Sequence, residues 1–162
     1  MTQIEYRHGD ATRPVSSGPR IIAHVCNDIG AWGRGFVLAL SRRWPAPESA
    51  YRLWHAQRGA DFVLGAAQFV MVEPNETWVA NLIAQHGIGR ASDGTPPIRY
   101  AALETALTRM AEFAAEQSAS VHMPRIGCGL AGGTWEQVEP LIERSCLARS
   151  VPVFVYDWTS NR

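Results

Sequence analysis

The stretch that most constrains this chain is Met123-Pro124-Arg125-Ile126-Gly127-Cys128-Gly129-Leu130-Ala131-Gly132-Gly133-Thr134. It follows a short apolar run, Val121-His122-Met123, and runs into a helix start at Thr134, with Gln137 placed for a capping box. Four glycines within seven residues strip side chains from one loop. A bare loop of this kind turns several backbone N–H groups toward one point, and an adjoining helix N-terminus adds partial positive charge. A strand, a glycine loop and a helix start together make a phosphate cradle; the alternative is a tight strand-to-helix connection that binds nothing.

The rest of the chain repeats that grammar. Ile4-Glu5-Tyr6 reads as a short strand ended by His8-Gly9-Asp10-Ala11. Ile21 to Cys26 is a near-continuous apolar run suited to a buried strand. A second glycine loop, Asn27 to Gly35, leads into a helix carrying Phe36, Val37, Leu40 and Trp44 on one face, and Pro45 stops it. Pro47 and Glu48 open a further helix that ends near Gly59. Gln68–Val72 and Thr77–Ala84 flank the turn Glu73-Pro74-Asn75-Glu76 as a hairpin. After the loop from His86 to Pro97, helical spacing predicts a helix with Tyr100, Leu103, Leu107, Met110 and Ala114 on its inner face. The last long helix is expected to reach about Ala148, and Val151–Tyr156 forms the closing strand.

Strands alternating with helices, plus one hairpin, predict a single α/β domain over residues 1–162: a three-layer α/β/α sandwich around a mixed sheet. Ligands of such sheets sit at the carboxyl ends of the strands. Both glycine loops, Asp10, Gln85 and the segment after Tyr156 leave strands at such ends.

Composition narrows the chemistry. Formal net charge is zero, which argues against a broad electrostatic grip on nucleic acid or anionic membrane. All 15 basic residues are arginines, so a lysine nucleophile or Schiff base is excluded. Cys26, Cys128 and Cys146 are odd in number and match no zinc spacing; they read as reduced thiols, with no metal or cofactor expected. Residues 1–20 are polar and hold Pro14 and Pro19, so no signal segment is read there, and no apolar run approaches the ~20 residues of a membrane span. The expectation is a cytoplasmic protein without a membrane partner.

These residues resemble the macrodomain family, which binds ADP-ribose, through most of the chain. The likeness is strongest to the branch of small macrodomains that includes the human terminal ADP-ribose glycohydrolase and the yeast ADP-ribose-1″-phosphate phosphatase. Gly9-Asp10-Ala11 resembles the family's turn after the first strand. His24-Val25-Cys26-Asn27 through Gly33-Arg34-Gly35-Phe36 resembles its ribose loop, and Pro124 to Leu130 its diphosphate loop. The resemblance implies that Asp10 accepts a hydrogen bond from the adenine amine, with the Ala11 N–H beside it. Ile126, Gly127, Cys128, Gly129 and Leu130 would wrap the diphosphate. Asn27, Gly33, Arg34, Gly35 and Gln85 would border the distal ribose, and Tyr156 or Trp158 would cover the adenine.

The departures bear on mechanism. The glycohydrolase of this branch uses a lysine after the returning strand and an aspartate after Gly-Cys-Gly-Leu; the matching positions here are Gln85 and Ala131. Neither offers a nucleophile or a base. The resulting expectation is hydrolysis of mono-ADP-ribose from a modified protein or nucleic acid by water attack at the distal ribose, with carboxylate esters preferred. Asn27 and Gln85 are the candidates to hold that water. The alternatives are a non-catalytic ADP-ribose-binding module and an ADP-ribose-1″-phosphate phosphatase. His24, after three apolar strand residues, reads as a structural histidine. His86 either orders water or caps the strand end, Cys128 reads either as a small residue that fits the loop or as a thiol acidified at a helix start, and Trp32 as packing beneath the ribose loop.

Overall fold

The computed structural model describes residues 3–158. In chain order it runs β1 (Glu5–His8), β2 (Arg20–Asn27), α1 (Phe36–Arg43), α2 (Ala46–Gln57), β3 (Ala67–Glu73), β4 (Thr77–Gln85), α3 (Tyr100–Gln117), β5 (Ser120–Met123), α4 (Trp135–Ser145) and β6 (Val153–Asp157). The six strands form one sheet in the order β1-β6-β5-β2-β4-β3. Every neighbouring pair is parallel except β3 with β4, the hairpin, so the sheet is mixed. No helix among the described residues is long and apolar enough to cross a membrane.

Period-two alternation divides the core. Ile21 and Ala23 of β2, with Trp78, Ala80, Leu82 and Ala84 of β4, join Leu103, Leu107 and Met110 of α3 and Val138 and Ile142 of α4 in one buried layer. Ile22 and Cys26, with Val79 and Ile83, face the other way and meet Leu40 of α1 and Tyr51 of α2. A fully buried leucine or isoleucine stabilises by about 1.5–3 kcal/mol, so each layer is a substantial core. The faces thus carry α3 and α4 on one side and α1 and α2 on the other, the expected three-layer arrangement.

Two helix ends differ from expectation. Thr134 adopts extended dihedrals before α4, yet its side chain makes no capping hydrogen bond. Its N–H instead donates to the Tyr100 hydroxyl at 3.1 Å, so the group a capping-box Gln137 would have reached is taken by α3. α4 also stops at Ser145, and a 3₁₀ turn, Leu147–Arg149, completes the descent to β6. Trp44, expected on the face of α1, is its extended C-cap (φ −141°) because the following proline disfavours helical backbone, although the ring still packs on the same core.

Two histidines are buried in the sheet. His24 Nε2 donates to Asn81 Oδ1, and Asn81 in turn donates to Pro47 O and Gln68 Oε1. His122 shares hydrogen bonds with Ser120 (2.8 Å) and Tyr156 (2.8 Å) under the Phe154 ring. Burial lowers the imidazole pKa of His24 to about 4; burial, reinforced by Arg7 and Arg20, lowers that of His122 to about 3. Both values lie below the unfolded value of about 6.5, so the unfolded chain binds more protons through this range. The stabilisation is therefore complete above pH 6.5 and is lost as pH falls toward 4 and 3. At pH 5 the two sites together withdraw on the order of 4 kcal/mol, which for a domain of this size lowers the melting temperature by roughly 10 °C. Calorimetric scans at pH 7.5 and pH 5 check this; equal melting temperatures would refute it.

Candidate functional site

β2 lies between β5 and β4, and the chain leaves β2 toward α1 on one face but leaves β5 toward α4 on the other. Where connections diverge in this way, a crevice opens at the carboxyl ends of the strands. It is deepened here because β5 pairs with β2 only as far as Ile22 and His122, whereas β2 continues to Asn27. The resulting cleft has a volume of about 710 Å³. The loop after β2 (Asn27, Gly33, Arg34, Gly35), Gln85 at the end of β4, and the loop after β5 (Ile126, Gly127, Gly129, Leu130, Ala131) all line it.

The loop after β5 is held from behind. Gly133 N–H donates to Gly127 O at 2.7 Å, and Ile98 N–H donates to Ala131 O at 3.0 Å. A Cβ on Gly133 would lie 2.5 Å from Gly127 O, so this closure demands glycine. Gly127 has φ +74°, in the left-handed region that favours glycine. Among the described residues, the N–H groups of Gly127, Gly129, Leu130 and Ala131 have no hydrogen-bond partner. Unpaired donors on a fixed loop call for an acceptor, and a phosphate supplies several. Cys128 is not a lining residue; its thiol donates to Ile126 O at 3.4 Å. Burial pushes that thiol's pKa up and Arg125 only partly opposes the rise, so the acidifying effect of a helix start is not seen.

The loop after β2 is built around Asn27. Its Oδ1 accepts from Ile29 N–H (3.0 Å) and Ala31 N–H (3.0 Å) and lies 2.8 Å from the Tyr51 hydroxyl, while Nδ2 donates to Ala31 O (2.8 Å). The side chain is thus spent on loop geometry, with one amide proton left for the cleft. Trp32 is buried under the loop and donates to Ser41. Beyond it, Gly33, Arg34 and Gly35 present N–H groups that, among the described residues, are likewise unpartnered.

Gln85 Nε2 donates to Gly87 O at 3.0 Å, which leaves its carbonyl oxygen available. His86 turns to Asp28: Nδ1 lies 2.7 Å from Asp28 Oδ2, and Gly87 N–H donates to Asp28 Oδ1 at 2.8 Å. Burial opposes ionisation of Asp28, but the bonds from Gly87 and His86 outweigh it and hold its pKa below the usual range. This pair ties the loops after β2 and β4 together, a role that neither expectation for His86 included. His24, neutral and hydrogen-bonded, is structural as expected.

Asp10 and Ala11, just after β1, are not among the residues that line the cleft; Asp10 Oδ1 accepts from Thr12 N–H (2.8 Å) and Thr12 Oγ1 (2.7 Å). No partner engages Oδ2 or the Ala11 N–H among the described residues. An acceptor beside a donor matches the amine and ring nitrogen of adenine. Asp10→Ala should weaken ADP-ribose binding at least about tenfold, the loss of a charge-assisted bond worth ~1.5–3 kcal/mol. Titration calorimetry checks this, and unchanged affinity would make Asp10 a turn residue only. Tyr156 is corrected: it is only 6% exposed, and its hydroxyl is committed to His122, so it cannot cover a ligand face. Trp158, 71% exposed just beyond β6, is the aromatic that remains free.

Sequence reasoning named Leu130 as a diphosphate contact but not its side chain, 57% exposed, as an apolar rim with Ile88 (59%), and it missed Ile88, Arg52 and Arg125 as lining residues. Arg52 comes from α2, far from any motif, and only the folded chain brings it to the cleft.

Two glycine loops with open backbone donors line one cleft at the carboxyl edge of a mixed sheet, a surface with the chemistry to accept a phosphate-bearing ligand. The chain belongs to the macrodomain family: it is 60% identical to the structure of a macrodomain protein from Streptomyces coelicolor, covering 96% of this chain and 99% of that one with a TM-score of 0.84. No family model matches the chain. Among curated proteins it is 32% identical over 163 residues to mouse chromodomain-helicase-DNA-binding protein 1-like, matching 96% of this chain but only 18% of that protein. It is also 26% identical to the ADP-ribose 1″-phosphate phosphatase of Meyerozyma guilliermondii, over 89% of this chain and 94% of that protein.

Proposed function

We propose that this chain binds ADP-ribose in the cleft and hydrolyses mono-ADP-ribose esters of carboxylate side chains on modified proteins. The observation that carries the reading is the pairing of two donor-rich glycine loops with a cleft that, among the described residues, no carboxylate lines. In this reading the ligand follows the strand order. Adenine meets Asp10 and Ala11 beside β6, the diphosphate lies on Gly127–Leu130 after β5, and the distal ribose meets Asn27 and Gln85 after β2 and β4. The three cysteines are free, in keeping with a reducing compartment such as the cytoplasm.

The chemistry follows from what surrounds the distal ribose. No lysine exists to form an adduct, so water is the nucleophile. Gln85 offers an amide oxygen to orient that water, and the remaining Asn27 amide proton is the second contact available to it. Phosphates held nearby favour positive charge developing on the ribose.

The test is release of ADP-ribose from a protein modified on glutamate, followed by chromatography. Release supports the hydrolase; tight ADP-ribose binding without release from any linkage supports a binding module, the reading that Gln85 and Ala131 favour. Phosphate release from ADP-ribose 1″-phosphate tests the activity named for the Meyerozyma relative.

A further inference from the structure

We infer that Arg34 stabilises the departing carboxylate and thereby sets which linkage the cleft cleaves; the inference rests on the hydrolase reading above. Three arginines line the cleft, and two are already engaged. Arg52 donates to Glu48 at 2.9 Å and to the carbonyls of Gly30 and Trp32, each at 3.3 Å. Arg125 forms a two-pronged pair with Asp157, at 2.6 and 2.9 Å, and its guanidinium lies near the Tyr6 and Trp135 rings. Arg34 makes no ion pair among the described residues. Arg34 is itself exposed where it lines the cleft.

The chemistry needs such a group. Among the described residues the lining holds no carboxylate, and burial lowers the pKa of His24 to about 4, so neither supplies a proton to a leaving oxygen. Cleavage then proceeds with the water oxygen bonding to C1″ as the C1″–O bond to the acyl group breaks. The electron pair of that bond leaves on the carboxylate oxygen, and the water's proton passes to solvent. Negative charge grows on the leaving oxygen through the transition state, and a planar cation in reach stabilises it more there than in the ground state. Arg34, in the loop that borders the distal ribose, is the only one of the three lining arginines with its charge unspent on protein partners among the described residues. Guanidinium also matches a carboxylate with two parallel N–H donors.

Single-turnover release from a glutamate-linked mono-ADP-ribosyl peptide tests this, run alongside titration calorimetry with ADP-ribose. Arg34→Ala should slow the chemical step at least about tenfold while ADP-ribose affinity falls less than about threefold. Arg34→Lys should retain part of the rate, and millimolar guanidinium ion should partly restore Arg34→Ala. An unchanged rate overturns the inference, and so does an equal loss of rate and affinity, which would make Arg34 a diphosphate contact. A wild-type protein that binds ADP-ribose but releases nothing overturns this inference together with the hydrolase reading. Release by wild type that Arg34→Ala matches overturns this inference alone.

Discussion

Gly129→Glu should abolish ADP-ribose binding, by at least about a hundredfold, and leave the fold intact. A carboxylate there would stand among the open N–H groups of Gly127, Leu130 and Ala131 and meet a diphosphate as a like charge, a juxtaposition that costs several kcal/mol. The fold should tolerate it because a Cβ at Gly129 meets nothing within 4 Å and its φ is not in the left-handed region. Gly127 and Gly133 of the same loop are different. A side chain on Gly127 would press Ile98 at 3.0 Å from a strained φ, and one on Gly133 would strike backbone. Gly129→Glu therefore separates binding from folding where its neighbours do not. Calorimetry reads the binding, and circular dichroism with a thermal melt reads the fold. Retained binding would place the phosphates elsewhere.

Release from glutamate-linked ADP-ribose should exceed release from serine- or arginine-linked ADP-ribose by at least about a hundredfold. A glutamate carboxylate has a conjugate acid near pKa 4 and leaves as an anion at neutral pH. A serine alkoxide or a neutral guanidine is far more basic and needs a proton as it departs. Such a donor typically contributes about 10²–10⁴-fold. Ala131 occupies the position after Gly-Cys-Gly-Leu, is buried at 5% exposure and carries no acid. Asp28 is ionised and occupied by Gly87 and His86, so it donates no proton. Initial rates on the three linkages, with wild type and Gln85→Ala, make the comparison. Gln85→Ala should lower the glutamate rate more than it weakens ADP-ribose binding, because the proposed mechanism gives Gln85 the task of orienting the water. Faster release from serine than from glutamate would contradict the acid-free mechanism.

The layered fold was legible because local and global preferences agree along this chain. Ile21, Ile22 and Ala23 are apolar on both faces of the strand, as a central parallel strand requires. Leu103, Leu107 and Met110 keep helical spacing over one long helix, and all three are fully buried. The glycine loops were legible for the opposite reason: they lack side chains where the backbone must do the work. What stayed hidden depends on partners distant in sequence. The Tyr100 hydroxyl takes the Thr134 N–H from 34 residues away, and no capping rule anticipates that. Tyr156 sits at a strand end where an aromatic suits either a ligand or a core, and only its bond to His122 decides for the interior. The Asp28–His86 pair joins loops 58 residues apart, and neither residue's local sequence points to the other.

The most direct measurement is a calorimetric titration of the wild-type protein with ADP-ribose and, separately, with AMP. In the proposed binding mode ADP-ribose reaches the Asp10 turn, the loop after β5 and the loop after β2; AMP would lose the distal phosphate and ribose, and with them the donors of Gly33–Gly35 and the contact at Gln85. One ADP-ribose per chain, bound at least about a hundredfold more tightly than AMP, is the predicted result. Equal affinities for the two ligands would contradict the assignment of this cleft.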